Sequence, residues 1–217
     1  MTTATEPEAR RVARPRADAL RNRERIVAAA REIFVEYGPE APLDEIARRA
    51  GIGNATLYRH FADRTSLIHD VVLSVMARTA DLAESGAAEE GDPFTALRHF
   101  VHAAADERIG ALCPMLSGDF TVDRPDLDAA RVRLEGAVEA LMERARQAGR
   151  LRDDVAVGDL MVALSQLTRP LPGTGCLNMD RFTHRHLQLF LDGLEAPARS
   201  RLSGSAATLE DLRRAAP

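Results

Sequence analysis

Two short apolar stripes, Leu43-Ile46-Ala47-Ala50 and Leu57-Phe61, flank the turn Gly51-Ile52-Gly53, and this spacing constrains the fold more than any other feature of the chain. Helices of two turns gain little from intrinsic propensity and persist by packing against a neighbour. The first stripe opens with Pro42, suited to a first helical position, and with Asp44 and Glu45, which suit the positive end of a helix dipole. It stops at Gly51. Asn54 is a natural N-cap for the next helix, in which Leu57 and Phe61 lie one turn apart and face inward. The pattern predicts a helix-turn-helix.

Thr56, Arg59 and His60 project together from another face of that helix, with Tyr58 at the flank. A short helix whose outward residues are hydrogen-bond donors, resting on an apolar brace, is what entry into a DNA major groove requires. Upstream, Ile26, Ala30, Ile33, Phe34 and Tyr37 recur at helical spacing from about Ala17 until Gly38-Pro39 stops the run. Residues 1–16 carry no hydrophobic period and read as a flexible basic arm. The helix-turn-helix domain is expected over 17–65.

The formal net charge is -4, which on average disfavours a partner as anionic as nucleic acid. The average conceals a segregation. Arg10, Arg11, Arg14, Arg16, Arg21, Arg23 and Arg25 crowd the stretch from 10 to 25, opposed there only by Asp18 and Glu24, whereas Asp81, Glu84, Glu89, Glu90 and Asp92 make an acidic stretch further on. The basic pole is N-terminal.

The run LDEIARRAGIGNATLYRHFADRTSLI resembles the helix-turn-helix signature of the TetR family of bacterial regulators. The resemblance implies that Tyr58 and His60 contact the DNA backbone and that Asn54, Thr56 and Arg59 approach bases or phosphates. It also implies that Arg64 stands in for a phosphate-binding lysine. Two departures bear on this reading. Gly53 stands where the family often has serine, and Pro42 where a hydroxyl residue often caps the second helix and touches a phosphate.

The rest of the chain reads as helix, so the fold class expected is all-α, a three-helix DNA-binding domain followed by a larger regulatory and dimerisation domain over 66–195. Asp63 can cap a long helix carrying Leu67, Ile68, Val71, Val72, Val75 and Leu82. Phe94, Leu97, Val101 and Ala104 mark another, and the series from Leu127 to Ala148 a third, ending at Gly149. Helices near 157–168 and 178–194 carry more apolar residues than one face needs, which suggests self-association. A two-fold dimer would space two recognition helices about one turn of DNA apart and read a palindromic operator. Beyond about 195 the Ala-, Ser-, Gly- and Arg-rich segment reads as a loose tail, with a short helix possible near 208–215.

The resemblance also implies a small-molecule effector. Met76, Phe100, Cys113, Met115, Phe120, Met161 and Gln166 are the candidate lining, soft apolar groups with one amide, and a plain core explains the same set. His99, His102 and Asp106 share a helical face and could present two imidazoles and a carboxylate to a divalent metal, or simply form a solvated polar face. No metal or cofactor is expected. Cys113 raises an enzymatic alternative, but no feature places a base beside its sulfur; an architectural DNA-binding protein is the other alternative, though most of the chain lies outside the DNA-binding module. Two cysteines, Cys113 and Cys176, make no disulfide framework, and the chain has neither a secretory h-region nor a membrane-length apolar run. A reducing cytoplasm is the expected compartment.

Overall fold

The computed structural model describes residues 8–88, 91–110, 115, 124–169, 179–208 and 210–211. Among them lie eight helices: α1 (Glu8–Tyr37), α2 (Leu43–Ala50), α3 (Asn54–His60), α4 (Arg64–Ala88), α5 (Pro93–Asp106), α6 (Pro125–Gln147), α7 (Val157–Leu167) and α8 (Met179–Leu194). The only strand-like pairing among the described residues is an isolated antiparallel bridge, Leu151 to Glu195. The all-α expectation holds. None of the described helices is long and apolar enough to cross a membrane.

The chain divides into two compact units between Val71 and Val72 rather than at 65/66. The first two turns of α4 belong to the first unit, where Leu67, Ile68 and Val71 are buried. Helix α1 begins at Glu8, so nine residues of the expected flexible arm are helical. The apolar period fades before Ala17, but Ala9, Arg10, Arg11, Ala13, Arg14 and Arg16 are strong helix formers that extend an existing helix without needing a buried face. Residues 1–7 lie outside the described residues.

In the first unit the core is Ile26, Ala30, Ile33 and Phe34 of α1 with Ile46, Ala47, Leu57, Phe61 and the opening of α4. In the second, α5 packs with α6, α7 and α8 around one cluster that includes Phe94, Leu97, Phe100, Val138, Leu141, Leu160, Leu164, Leu187 and Leu191. Gly110 closes the end of α5 against α7. A Cβ there would meet Thr168 Oγ1 at 2.3 Å and Ser165 O at 2.5 Å, while its N–H donates to Thr168 Oγ1 at 2.9 Å.

The expected loose tail is docked as far as Thr208. Arg152, 7% exposed, donates from Nη1 to Gly193 O at 3.0 Å and from Nη2 to Ser200 O at 2.7 Å, and it clasps Asp154 through Nε at 2.5 Å. Asp154 then accepts the Leu202 N–H at 3.1 Å. That guanidinium, followed by the amide, holds the Asp154 carboxyl well below the usual carboxylate range. Further on, the Ala207 N–H reaches Asp159 at 3.2 Å, and its backbone runs so close to Gly158 that a Cβ there would meet Ala207 O at 2.3 Å. Composition missed this docking because the anchors are backbone groups. Thr208 and Asp211 exchange capping bonds, Asp211 N to Thr208 Oγ1 at 3.1 Å and Thr208 N to Asp211 Oδ2 at 3.0 Å, which starts a helical turn where one was expected. Residues 212–217 lie outside the described residues.

Candidate nucleic-acid interface

Helix α3 is seated from beneath. Leu57 and Phe61 are 1% exposed, and the left-handed Gly51 (φ 66) ends α2 so that the chain can turn within three residues. Gly53, in extended conformation, is the N-cap; its carbonyl accepts from Thr56 N at 2.9 Å and Leu57 N at 3.2 Å. Asn54 is therefore the first helical residue and not the expected cap. Its side chain instead donates to Asp44 Oδ1 at 2.9 Å and ties α3 to the first turn of α2. Pro42 is likewise the N-cap of α2, one position earlier than expected. Both shifts have one cause: the extended residue that precedes each helix already supplies the first carbonyl.

On the outer face Tyr58 is 51% exposed and Arg59 is exposed, while Thr56 and His60 are half-buried on its flank. Arg59 lies opposite the Leu57–Phe61 brace and makes no hydrogen bond or ion pair with the described residues. An exposed guanidinium held by a rigid two-turn helix offers a planar fork of donors to phosphate or to a base edge.

Three other arginines are committed to the scaffold. Arg23 donates to His60 O at 3.0 Å, pairs with Asp70 Oδ2 at 2.6 Å and lies with Cζ 4.4 Å above the Phe61 ring. Arg25 donates to Ala50 O at 2.6 Å, capping the C-terminus of α2, where the helix dipole favours a cation. Arg64 Nη1 donates to Pro39 O and Ala41 O, both at 2.6 Å, and so grips the turn between α1 and α2. Part of the N-terminal basic pole is thus internal stapling. A readable signal existed for Arg23, which shares the stripe of Ile26 and Ala30 and so had to point at the neighbouring helices; none existed for Arg25 or Arg64.

The effector-pocket candidates do not form one described constellation. Phe100 belongs to the main core of the second unit and Met161 packs against it. Met76 and Met115 are buried, Gln166 is exposed on α7, and Cys113 and Phe120 lie outside the described residues. The expected trio of His99, His102 and Asp106 separates as well. His99 is exposed, while His102 and Asp106 both meet His184 of α8. Among the described residues no group of three or more His, Cys, Asp or Glu is arranged to hold a metal.

Residues 26–71 match bacterial regulatory proteins of the tetR family, and residues 92–196 match the C-terminal domain of SbtR-like transcriptional regulators. Among solved structures, the TetR transcriptional regulator SCO0520 from Streptomyces coelicolor is 31% identical with a TM-score of 0.62, covering 81% of this chain and 99% of its own. The chain belongs to the TetR family. A TetR transcription regulatory protein from Mycobacterium vanbaalenii is 30% identical with a TM-score of 0.60, over 83% of this chain and 99% of that one. The HTH-type transcriptional regulator TtgW of Pseudomonas putida is 42% identical over 59 residues, 27% of this chain and 44% of that protein. The chain thus spans less than half the length of that curated relative. As a TetR-family member the chain is a transcriptional regulator whose helix-turn-helix binds DNA.

Proposed function

We propose that this TetR-family regulator is a cytoplasmic homodimeric repressor that reads a palindromic operator and releases it when a small molecule binds its second unit. The observation that carries the DNA reading is the seating of α3: a fixed apolar underside, three arginine staples around it, and an outer face bearing Tyr58 and the uncommitted Arg59. On this reading Asn54 and Thr56 approach the DNA at the start of the helix, Tyr58 and His60 touch the backbone, and Arg59 supplies the phosphate or base contact. Arg64, with one nitrogen bonded to carbonyls, adds a phosphate contact through its remaining donors.

Self-association is supported by Phe182 and Leu189 on α8 and Val162 on α7, apolar side chains at least 40% exposed in the single chain. The effector reading is supported by the soft residues Met76, Phe100, Met115 and Met161 inside the second unit. Gln166, the one amide of the expected lining, is exposed on α7.

The test is selection of bound duplexes from genomic fragments at physiological salt, followed by competition with random DNA and a screen for releasing ligands. A shared palindrome with a specificity ratio of about a thousandfold or more supports a dimeric operator-binding regulator; no preference at any salt overturns it. Within that assay Arg59→Ala should weaken binding and lower the salt slope by about one counterion if Arg59 meets phosphate. Its melting temperature should not move. Wild-type affinity and slope would remove Arg59 from the interface.

A further inference from the structure

Three polar side chains, His102 and Asp106 of α5 and His184 of α8, meet at the margin of the apolar cluster that the two helices share. His102 Nδ1 lies 2.8 Å from His184 Nδ1, and His184 Nε2 lies 2.9 Å from Asp106 Oδ1. The ring centroids are 5.0 Å apart with 24° between the planes, a separation that equals the Nδ1···Nδ1 distance plus two ring radii. The rings therefore meet edge to edge, in line for a hydrogen bond. An Nδ1···Nδ1 contact of this length has room for one proton, so one ring donates and the other must be bare. Asp106 accepts the Nε2–H of His184. The chain of bonds closes when the pair is neutral, and also when it carries one positive charge matched by Asp106. A second charge puts a hydrogen on each Nδ1, setting donor against donor and cation against cation.

We propose that His102 and His184 form a proton-counting latch on the α5–α8 seam, closed while their Nδ1 atoms share one proton and open when both rings are charged.

The groups around the pair agree with this reading. Burial first, and then the neighbouring His184, hold the His102 imidazole below its ordinary value, with Arg98 of α5 acting the same way; Gln188 of α8, which bonds His102, and Asp106 oppose them. Arg98 is itself drawn toward Asp192 and Glu195, at 3.6 and 3.9 Å. In the core that α6 and α7 share with these two helices the buried residues are apolar, among them Val138, Leu141, Leu160 and Leu164. A base held below its ordinary pKa binds a proton more readily once the seam opens. The closed seam is therefore fully favoured above the ordinary imidazole pKa of about 6.5 and loses that advantage as the pH falls below it. Position gives the latch its reach: it lies near the start of α8, the helix whose opposite side exposes Phe182 and Leu189.

The experiment uses the full chain with EDTA present, reading the ring nitrogens by NMR and amide hydrogen exchange along α8 from pH 7.5 to 5.5, corrected for the intrinsic exchange rate. The two rings should titrate in successive, coupled steps, and protection of residues 182–190 should fall about tenfold as the second step is passed. His184→Gln should raise the His102 titration toward its ordinary value, and His102→Gln or His184→Gln should each remove the pH dependence of α8 protection. His99→Gln, on the exposed neighbour, should change neither. Two rings that titrate independently, or a fall in protection that survives in either glutamine variant, would overturn the latch.

Discussion

In the unit ending at Val71, α2 and α3 are eight and seven residues long, and arginines finish what their burial begins: Arg23 on His60 O, Arg25 on Ala50 O, Arg64 on the turn at Pro39 and Ala41. In the unit beginning at Val72, α5 and α6 run to fourteen and twenty-three residues over a continuous apolar cluster, and polar groups such as the His102–His184 pair sit at its margin. A short helix cannot bury enough surface to fix its own angle, so a unit that must present one rigid face adds directional bonds to its ends. A longer helix is held by area and can leave its edges adjustable. The difference suits a unit that reads DNA and, on the function proposed above, a unit that senses a ligand.

The hardest test of this contrast is Leu57→Ala. If burial were secondary to stapling in the first unit, truncating Leu57 would cost far less than truncating the equally buried Leu141 of α6. We expect both to cost about 2–5 kcal/mol, and Leu57→Ala alone to abolish DNA binding at temperatures where α6 is still protected from exchange. Lost binding with an unchanged melting profile would mean that Leu57 acts at the DNA and not in the core.

Arg23→Ala probes the staples. It removes a charge-assisted bond to a carbonyl, a partly exposed ion pair to Asp70 and a cation over the Phe61 ring, which together should cost about 1–3 kcal/mol. Hydrogen exchange should localise the loss to α3 and leave α6 untouched. A loss spread evenly over both units would erase the distinction drawn between them.

What was legible in the sequence followed the same division. The turn at 51–53 and the buried positions Ile26, Ile46, Leu57 and Phe61 were readable because helical period and turn chemistry are local. Arg59 was readable as an outward donor for the same reason. His102 and Asp106 were visible as neighbours on one helix, but their partner is 82 residues from His102, and no local pattern announces it. The docking of the tail is illegible on similar grounds, since Arg152 and Asp159 hold it through backbone groups to which composition is blind. Errors of one residue at Pro42 and Asn54 arose where capping preference competes with backbone geometry.

The smallest effect sharpens the comparison inside the turn itself, where two glycines serve different ends. At Gly51 the backbone is left-handed, which disfavours any side chain, and a Cβ 2.9 Å from Arg25 Nη2 would also displace the end of that staple. At Gly53 the backbone is ordinary extended chain (φ -78, ψ 151), and a Cβ would meet nothing within 4 Å. Nothing in the packing demands glycine there. Gly53→Ser should therefore fit, and its hydroxyl can accept from the Ala55 N–H in the first turn of α3, raising stability by a few tenths of a kcal/mol in denaturant unfolding. Slower exchange of the amide at 55 would locate that gain at the N-terminus of α3. A destabilised Gly53→Ser variant would instead show that this turn, like Gly51, depends on the absence of a side chain.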